Sequence, residues 1–299
     1  MTGPPHSPLL SVKHAVPPPR PGAVVRERLH DRLRAAPGSR LCVLVAPAGW
    51  GKTTLLALWA TEPDQRPRTA WVSLDRSDDE PVRFWTYVLT ALRELDPAVG
   101  GRALTALSAP GVEPVTAALP LLLNDLAAST GRYVLVLDDV HVLRDRGVWE
   151  GLEFLLTYVL ASLCVVMAGR ADPALPLARL RARGELTEIR ATDLRFTVEE
   201  ASAMVAAVGG VRLPPSSLVP LWRRPAARRA ATRARGHPSR PGPGAARPGR
   251  RLVRPRGADR RGRPAPDRRR GPRRCDRPAE VLRDVVLRAR RRGCLPAVR

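Results

Sequence analysis

Lys52 and Thr53 follow a glycine-containing loop, APAGWG (46–51), in a setting where an ammonium and a hydroxyl can bind phosphate together. The 51 basic residues of the chain include only two lysines, Lys13 and Lys52. Where this sequence places a positive charge it almost always uses arginine. A lysine here therefore indicates that the position requires a compact ammonium group and not a broad, planar guanidinium. The expected chemistry is contact between the lysine and the β- and γ-phosphates of a triphosphate.

The elements around this loop fit the same interpretation. The apolar run LCVLV (41–45) predicts a buried strand, and TTLLALWA (53–60) has helical spacing. The loop therefore leads into a helix N-terminus, where unpaired N–H groups favour an anion. Ala46 replaces the first glycine of the pattern G-x-x-x-x-G-K-[ST], which we interpret as a mild departure. The candidate phosphate-binding residues are Pro47, Ala48, Gly49, Trp50, Gly51, Lys52, Thr53 and Thr54.

A second apolar run, YVLVL (133–137), ends in two carboxylates, Asp138 and Asp139. The carboxyl ends of parallel strands form the edge where ligands bind in open α/β sheets. We predict that Asp138, together with Thr53, binds Mg²⁺ and that Asp139 polarises an attacking water. The alternative is that the two aspartates only cap a following helix.

A third run, LCVVMA (163–168), ends at Gly169 and Arg170. An arginine at this edge can sense the γ-phosphate, which gives a predicted catalytic set of Asp138, Asp139 and Arg170. The alternative is a solvated loop arginine paired with Asp172. His141 is interpreted as a surface-loop histidine in preference to one that contacts nucleotide or a neighbouring subunit.

The wider pattern alternates strands and helices, which predicts an α/β three-layer sandwich with a central parallel sheet. Strands are predicted near 41–46, 69–74, 133–138, 163–168 and 186–190. Helices are predicted near 52–61, 80–95, 115–128, 147–160, 174–183 and 198–208. The last helix begins at a capping box, Thr197 to Glu200. Phe84 and Trp85 lie on an apolar stripe that predicts core packing and not stacking on a base.

Four segments carry a resemblance to a known family: 43–60, 69–95, 133–143 and 165–201. In this order they resemble the MalT-like, LuxR-type large ATP-binding transcriptional regulators, which belong to the STAND class of signalling NTPases. The resemblance implies a switch that binds ATP or ADP with Mg²⁺, hydrolyses ATP weakly, and self-associates in the ATP state. It also implies that the segment 17–29 lies against the adenine. In that family sensor and DNA-binding domains follow, and we expect this chain to be truncated before them.

Composition changes sharply near residue 222. Residues 1–221 contain 24 basic and 23 acidic side chains, whereas 222–299 contain 27 arginines and 5 acids, a net charge of +22 out of +23. Such a chain is too poor in apolar residues to form its own core, which predicts disorder. One interpretation is a basic arm that binds DNA or RNA. Our hypothesis is the other, that this stretch is translated out of frame, because a GC-rich gene read in a wrong frame yields this bias.

The predicted organisation follows from these observations. The parts are a Pro-rich N-terminal flank (1–22), a P-loop NTPase domain (23–196) of NB-ARC or AAA type, the start of a helical lid (197–221) and the Arg/Pro/Gly-rich tail (222–299). No DNA-binding domain, membrane span or secretion signal is visible, so a cytoplasmic location is expected. Two other functions stay open: a stand-alone P-loop ATPase or kinase-type enzyme, and a nucleic-acid-binding protein acting through the tail.

Overall fold

The computed structural model describes residues 9–20, 22–62 and 68–209. The predicted tail and residues 210–221 of the predicted lid segment lie outside these ranges. The strands are β1 (Leu41–Val45), β2 (Arg68–Ser73), β3 (Tyr133–Asp138), β4 (Leu163–Gly169) and β5 (Leu186–Arg190). The α-helices are α1 (Glu27–Ala35), α2 (Lys52–Ala60), α3 (Pro81–Leu95), α4 (Gly101–Leu107), α5 (Pro114–Ala117), α6 (Leu119–Ala128), α7 (Arg146–Tyr158), α8 (Leu177–Ala182) and α9 (Val198–Gly209).

The five strands form one parallel sheet in the order β2-β3-β4-β1-β5. The register pairs Val45 with Gly169 and Asp138 with Ala168, so β1, β3 and β4 end at the same level. Because every strand runs in the same direction, the loops that carry the predicted site residues meet at one edge.

Alternating residues of each strand enter two separate cores. Leu41 and Val43 of β1 pack on one face against α3, α4, α6, α7 and α8, whereas Cys42 and Leu44 pack on the other face against α1 and α2. A strand buried on both faces reads as a continuous apolar run, as the sequence of β1 does. The predicted α/β three-layer sandwich with a central parallel sheet is confirmed.

Some helix predictions need correction. The helix predicted over 115–128 is two helices, α5 and α6, which meet at Ala118 just before Pro120. The helix predicted from 174 begins at Leu177, because prolines at 173 and 176 cannot continue a helical hydrogen-bond ladder. Helices α1 and α4 were not among the predicted elements.

Helix α3 confirms its predicted role in the core. Phe84 and Trp85 are fully buried, with their rings packed edge to face at 5.1 Å.

The N-terminal segment is bound beside α3: Lys13 Nζ donates to Asp78 Oδ1 at 2.8 Å, and the Leu10 amide donates to the Tyr87 hydroxyl at 3.1 Å. From this anchor the chain continues towards the edge of the sheet that carries the loop after β1. Within the described residues, no helix combines the length and apolar character needed to cross a membrane.

Candidate nucleotide-binding site

The loop between β1 and α2 has the backbone shape of a phosphate cradle. Gly49 and Gly51 adopt φ values of 81° and 78°, in the left-handed region that favours glycine. Gly51 is the N-cap of α2, and a Cβ built there meets nothing within 4 Å, so its backbone angle and not crowding calls for glycine. The loop therefore delivers Lys52 and Thr53 to the first turn of a buried helix, at its positive dipole end.

Lys52 is held across the loop. Its Nζ donates to the carbonyl oxygens of Ala46 at 2.8 Å and Pro47 at 3.2 Å, and the residue is only 7% exposed. Burial lowers the pKa of Lys52, while the nearby carboxylates of Asp139 and Asp138 oppose that shift. A buried cation with two of its three donors on carbonyls is well placed to direct the third at an anion.

Thr53 and Asp138 meet directly, as the metal prediction requires. Thr53 Oγ1 donates to Asp138 Oδ2 at 2.6 Å, and Asp138 Oδ1 accepts from the Asp139 amide at 2.9 Å. Asp138 is 3% exposed; burial raises its pKa and the hydrogen bond from Thr53 opposes the shift. Two hard oxygen ligands thus lie side by side, which is the donor type that Mg²⁺ prefers.

Asp139 is the one described residue other than glycine with a positive φ, at 61°. Its side chain is 50% exposed, and the residue lines the cavity beside the loop. The aspartates cap no α-helix, since the turn that follows is the short 3₁₀ segment Val140–Val142. The cap interpretation is therefore disfavoured for this pair. The roles assigned to Asp138 and Asp139 stay predictions.

Arg170 also lies at this edge and lines the same cavity. The alternative pairing with Asp172 is not what the structure shows, because Asp172 accepts from Arg190 of β5 instead. Arg170 is exposed, and no ion pair of its guanidinium is found within the described ranges. Its role as γ-phosphate sensor stays a prediction.

The cavity beside the loop has a volume of about 410 Å³. A larger groove, about 590 Å³, runs along α3 and α4 and contains none of the predicted site residues. The N-terminal segment supplies another part of the cavity wall, with the residues Arg20, Gly22, Ala23, Val24 and Arg26. This is the stretch that the family resemblance places against the adenine.

Four wall residues were missed from the sequence: Leu55 and Leu58 of α2, Phe196, and Met204 of α9. The signal for two of them was present, because the Thr197 capping box starts α9 beside Phe196. That box is confirmed: Thr197 N donates to Glu200 Oε2 at 3.0 Å, and Glu200 N donates to Thr197 Oγ1 at 3.2 Å. Helix α9 is thereby part of the cavity and not a separate extension.

Two arginines tie the N-terminal segment to α9. Arg26 Nη2 donates to the Arg195 carbonyl at 2.9 Å, Arg26 Nε donates to Glu200 Oε2 at 3.2 Å, and the guanidinium lies 4.5 Å from the Phe196 ring centroid. Arg28 Nε donates to Glu200 Oε1 at 2.9 Å. Glu200 thus joins both arginines to the first turn of α9, and the cavity is closed on two sides by linked elements.

This donor set fits a nucleotide with its metal. The loop glycines, Lys52 and the α2 N-terminus suit phosphate oxygens, and Thr53 and Asp138 suit Mg²⁺. Apolar side chains are also part of the cavity lining. The arrangement is the one expected of a P-loop ATPase.

Comparison with known proteins supports the same interpretation. Residues 24–166 match the AAA ATPase domain family. The chain is 32% identical over 211 residues to the serine/threonine-protein kinase PknK of Mycobacterium tuberculosis, covering 70% of this chain and 19% of PknK. It is 34% identical over 181 residues to the HTH-type transcriptional regulator MalT of Cronobacter sakazakii, covering 60% of this chain and 19% of that regulator. The chain carries a MalT-like P-loop ATPase module.

The resemblance predicted from the sequence segments is thereby confirmed for the ATPase module. The chain spans about a fifth of the length of these curated relatives. Among solved structures it is similar to a STAND protein with a tetratricopeptide repeat sensor from Pyrococcus horikoshii, with a TM-score of 0.46 and 16% identity over 69% of this chain and 28% of that one. The predicted domain boundaries stay predictions.

Proposed function

We propose that the module binds Mg²⁺-ATP, hydrolyses it slowly, and uses the nucleotide state to control self-association and transcription activation in a LuxR/MalT-type regulator. The observation that carries the proposal is the contact of Thr53 with Asp138, 2.6 Å apart, beside Lys52 and a cavity of about 410 Å³. The Thr53 hydroxyl lies in the first turn of α2 and the Asp138 carboxylate ends β3. Together with Lys52 these groups match the requirements of a triphosphate and its metal.

In this proposal each residue has one task. Lys52 binds the β- and γ-phosphates. Thr53 and Asp138 would hold Mg²⁺, and the ion would supply positive charge beside the phosphates. Asp139 accepts a proton from water as the water oxygen attacks the γ-phosphorus. The bond from that phosphorus to the bridging oxygen breaks, and ADP leaves with the electron pair. Arg170 reaches the γ-phosphate from the end of β4.

Slow turnover is supported by the setting of Asp139. Within the described lining of the cavity, Asp139 is the only carboxylate, and half of its side chain is exposed. Phosphoryl transfer depends on positioning and electrostatics, so a base held loosely at the surface favours a low rate. A slow rate suits a switch, in which the bound state must last long enough to be read.

A switch is further supported by the composition of the cavity wall. One ligand there would contact the loop, the N-terminal segment and α9 at once, since all three supply lining residues. Arg26 and Glu200 already link two of those elements. A change in nucleotide state can therefore alter the position of α9, which leads into the rest of the chain.

Equilibrium binding of ATP with and without Mg²⁺ tests the proposal. We expect the wild-type chain to bind ATP more tightly with Mg²⁺ than with EDTA, and Thr53→Ala to lose that difference. Thr105→Ala, which alters an exposed threonine of α4, is the matched control and should behave as wild type. Absence of binding by the wild-type chain, or the same metal dependence in Thr53→Ala, would overturn the proposal.

A further inference from the structure

The loop between β2 and α3, residues 74–80, contains a carboxylate that the mechanism so far does not use. Asp79 Oδ1 accepts from the Arg144 amide at 2.6 Å and from the Asp145 amide at 2.7 Å. Asp79 does not cap the helix that follows it, because Glu80 is the N-cap of α3. One oxygen of Asp79 thus joins the loops that follow two neighbouring strands, β2 and β3.

The two amides lie directly after a short turn, residues 139–143, which we call the β3 turn. It begins with Asp139 at a φ of 61°, and two backbone hydrogen bonds of 3.1 Å close it. At the start of the turn, Leu74 N donates to the carbonyl oxygen of Asp138 at 3.1 Å. At its end stand the amides that Asp79 binds. The loop after β2 therefore binds the β3 turn at both ends.

The place of the Asp139 carboxylate depends on this turn. His141 Nδ1 lies 3.5 Å from Asp139 Oδ1, beyond the 2.7–3.2 Å range of a good N–H···O bond, and the carboxylate accepts no hydrogen bond within the described residues. Its position is therefore set by the backbone, whose left-handed conformation persists only where the surroundings enforce it. Asp138 differs, because its backbone pairs with Ser73 on one side and Ala168 on the other. A loosened turn should displace Asp139 and leave Asp138 in place.

The loop that carries Asp79 is itself firmly held. Asp78, the residue before it, is fully buried, and its Oδ1 accepts from Lys13 Nζ at 2.8 Å and Arg83 Nε at 3.2 Å. Its Oδ2 accepts from the Asp75 amide at 2.9 Å. A buried carboxylate with this many donors fixes the backbone on which it lies. Asp79 therefore joins the β3 turn to a fixed support.

The adjacent residue, Glu80, has the same chemistry and a different target. Its carboxylate accepts from the Val82 amide at 3.0 Å and the Arg83 amide at 2.7 Å, both in the first turn of α3. Glu80 thus stabilises its own helix, whereas Asp79 reaches the turn that begins with Asp139. Two neighbouring carboxylates each bind two backbone amides, and only one of them is connected to the candidate site.

We propose that Asp79 is a positioning residue for hydrolysis: by accepting from the Arg144 and Asp145 amides it holds the β3 turn and so fixes where the Asp139 carboxylate meets the attacking water. The inference rests on the proposed ATPase function. Asp79 does not belong to the described lining of the cavity, so it acts through Asp139 and not on the nucleotide. Reacting groups must approach to about 3–3.5 Å, and a displacement of about 1 Å is costly.

The test compares the two neighbouring carboxylates. We expect Asp79→Ala to lower kcat about 10- to 100-fold, in line with the cost of misplacing a catalytic group, while the Kd for Mg²⁺-ATP is unchanged. Asp79→Asn should recover most of kcat, because its amide oxygen can accept from the same two N–H groups. Asp79→Glu, which moves the acceptor by one methylene, should not. Glu80→Ala is the matched control: it loses two hydrogen bonds of the same kind and should lower the Tm but not kcat.

Activity alone can overturn the role. Wild-type kcat in Asp79→Ala, or a fall in kcat equalled by Glu80→Ala, shows that Asp79 does no more than stabilise the fold. If Asp79→Ala does not fold, the other two variants decide, and equal kcat in Asp79→Asn and Asp79→Glu refutes the positional requirement.

Hydrogen exchange tests the contact without any activity measurement. The Arg144 and Asp145 amides should be protected in the wild type, exchange faster in Asp79→Ala, and stay protected in Glu80→Ala. Unchanged exchange in Asp79→Ala refutes the proposal. A wild-type chain that protects both amides but does not hydrolyse ATP defeats the proposed function, and the role in hydrolysis with it, whereas slow exchange with normal turnover in every variant defeats the role of Asp79 alone.

Discussion

Replacing Lys52 tests the reason for a lysine at this position. In Lys52→Ala the phosphates lose one charge-assisted hydrogen bond from a cation that is only 7% exposed. Such a bond contributes about 1.5–3 kcal/mol, which corresponds to a roughly 10- to 150-fold weaker Kd for Mg²⁺-ATP. Isothermal titration calorimetry on the 299-residue chain measures this difference directly.

The sharper variant is Lys52→Arg, which keeps the charge and changes the shape. The Lys52 ammonium sits 2.8 Å and 3.2 Å from two loop carbonyls, and a planar guanidinium cannot occupy that place without moving the loop. We therefore expect Lys52→Arg to bind almost as weakly as Lys52→Ala. Wild-type affinity in Lys52→Arg would refute the shape argument, and wild-type affinity in Lys52→Ala would refute the site.

Folding of these variants serves as the control. Burial lowers the pKa of Lys52, which means that the folded state holds the charge at a cost in free energy. Removing the ammonium should therefore leave the Tm near that of the wild type. A large fall in Tm would show that weak binding reflects a damaged fold.

Two further predictions concern stability. A Cβ at Gly151 of α7 would lie 2.7 Å from Nε1 of the fully buried Trp85. Gly151→Ala should therefore lower the free energy of unfolding, measured in urea, by about 1–3 kcal/mol. Gly101→Ala is the control and should leave that free energy unchanged, because nothing lies within 4 Å of a Cβ at Gly101. Arg181 and Arg190 hold the pKa of Glu188 to about 2 from an ordinary 4.5, so its contribution is complete above about pH 4.5 and is lost as the pH falls towards 2. The deficit of Glu188→Gln in unfolding free energy should then be largest at pH 7 and shrink towards pH 2, while the exposed Glu150→Gln shows little deficit; a deficit of Glu188→Gln that does not change with pH would contradict this.

Local patterns in the sequence predicted most of the sheet and one half of the site. Apolar runs identified β1, β3 and β4 because strands buried on both faces are continuously apolar. The glycine loop predicted Lys52 and Thr53, and the carboxylates after β3 predicted Asp138. These features are local, so a single sequence shows them.

The rest depends on contacts between distant segments. Phe196 and Met204 line the cavity beside a long-range contact in which Arg26 and Arg28 bind Glu200 of α9, across more than 160 positions in the chain. Lys13, the other lysine, forms a buried ion pair with Asp78, a partner that no local pattern indicated. Prolines also lie where α5 gives way to α6 and just before the first residue of α8. The sequence shows these prolines, but the helical spacing of the apolar residues favoured longer helices at both places.

The strand order of the sheet accounts for the small residues at the end of β4. The loop follows β1 and the aspartates follow β3, yet β4 lies between them in the sheet. The hydrogen bond from Thr53 to Asp138 therefore passes over the end of β4, where Ala168 and Gly169 are small. A Cβ at Gly169 would lie 3.0 Å from Val140 Cγ2 and 3.3 Å from the Ala171 carbonyl oxygen, so a larger residue would push against the turn that carries Asp139 and His141. Arg170 follows Gly169 at this strand end and lines the same cavity as Lys52 and Asp139, which agrees with its predicted role as a γ-phosphate sensor.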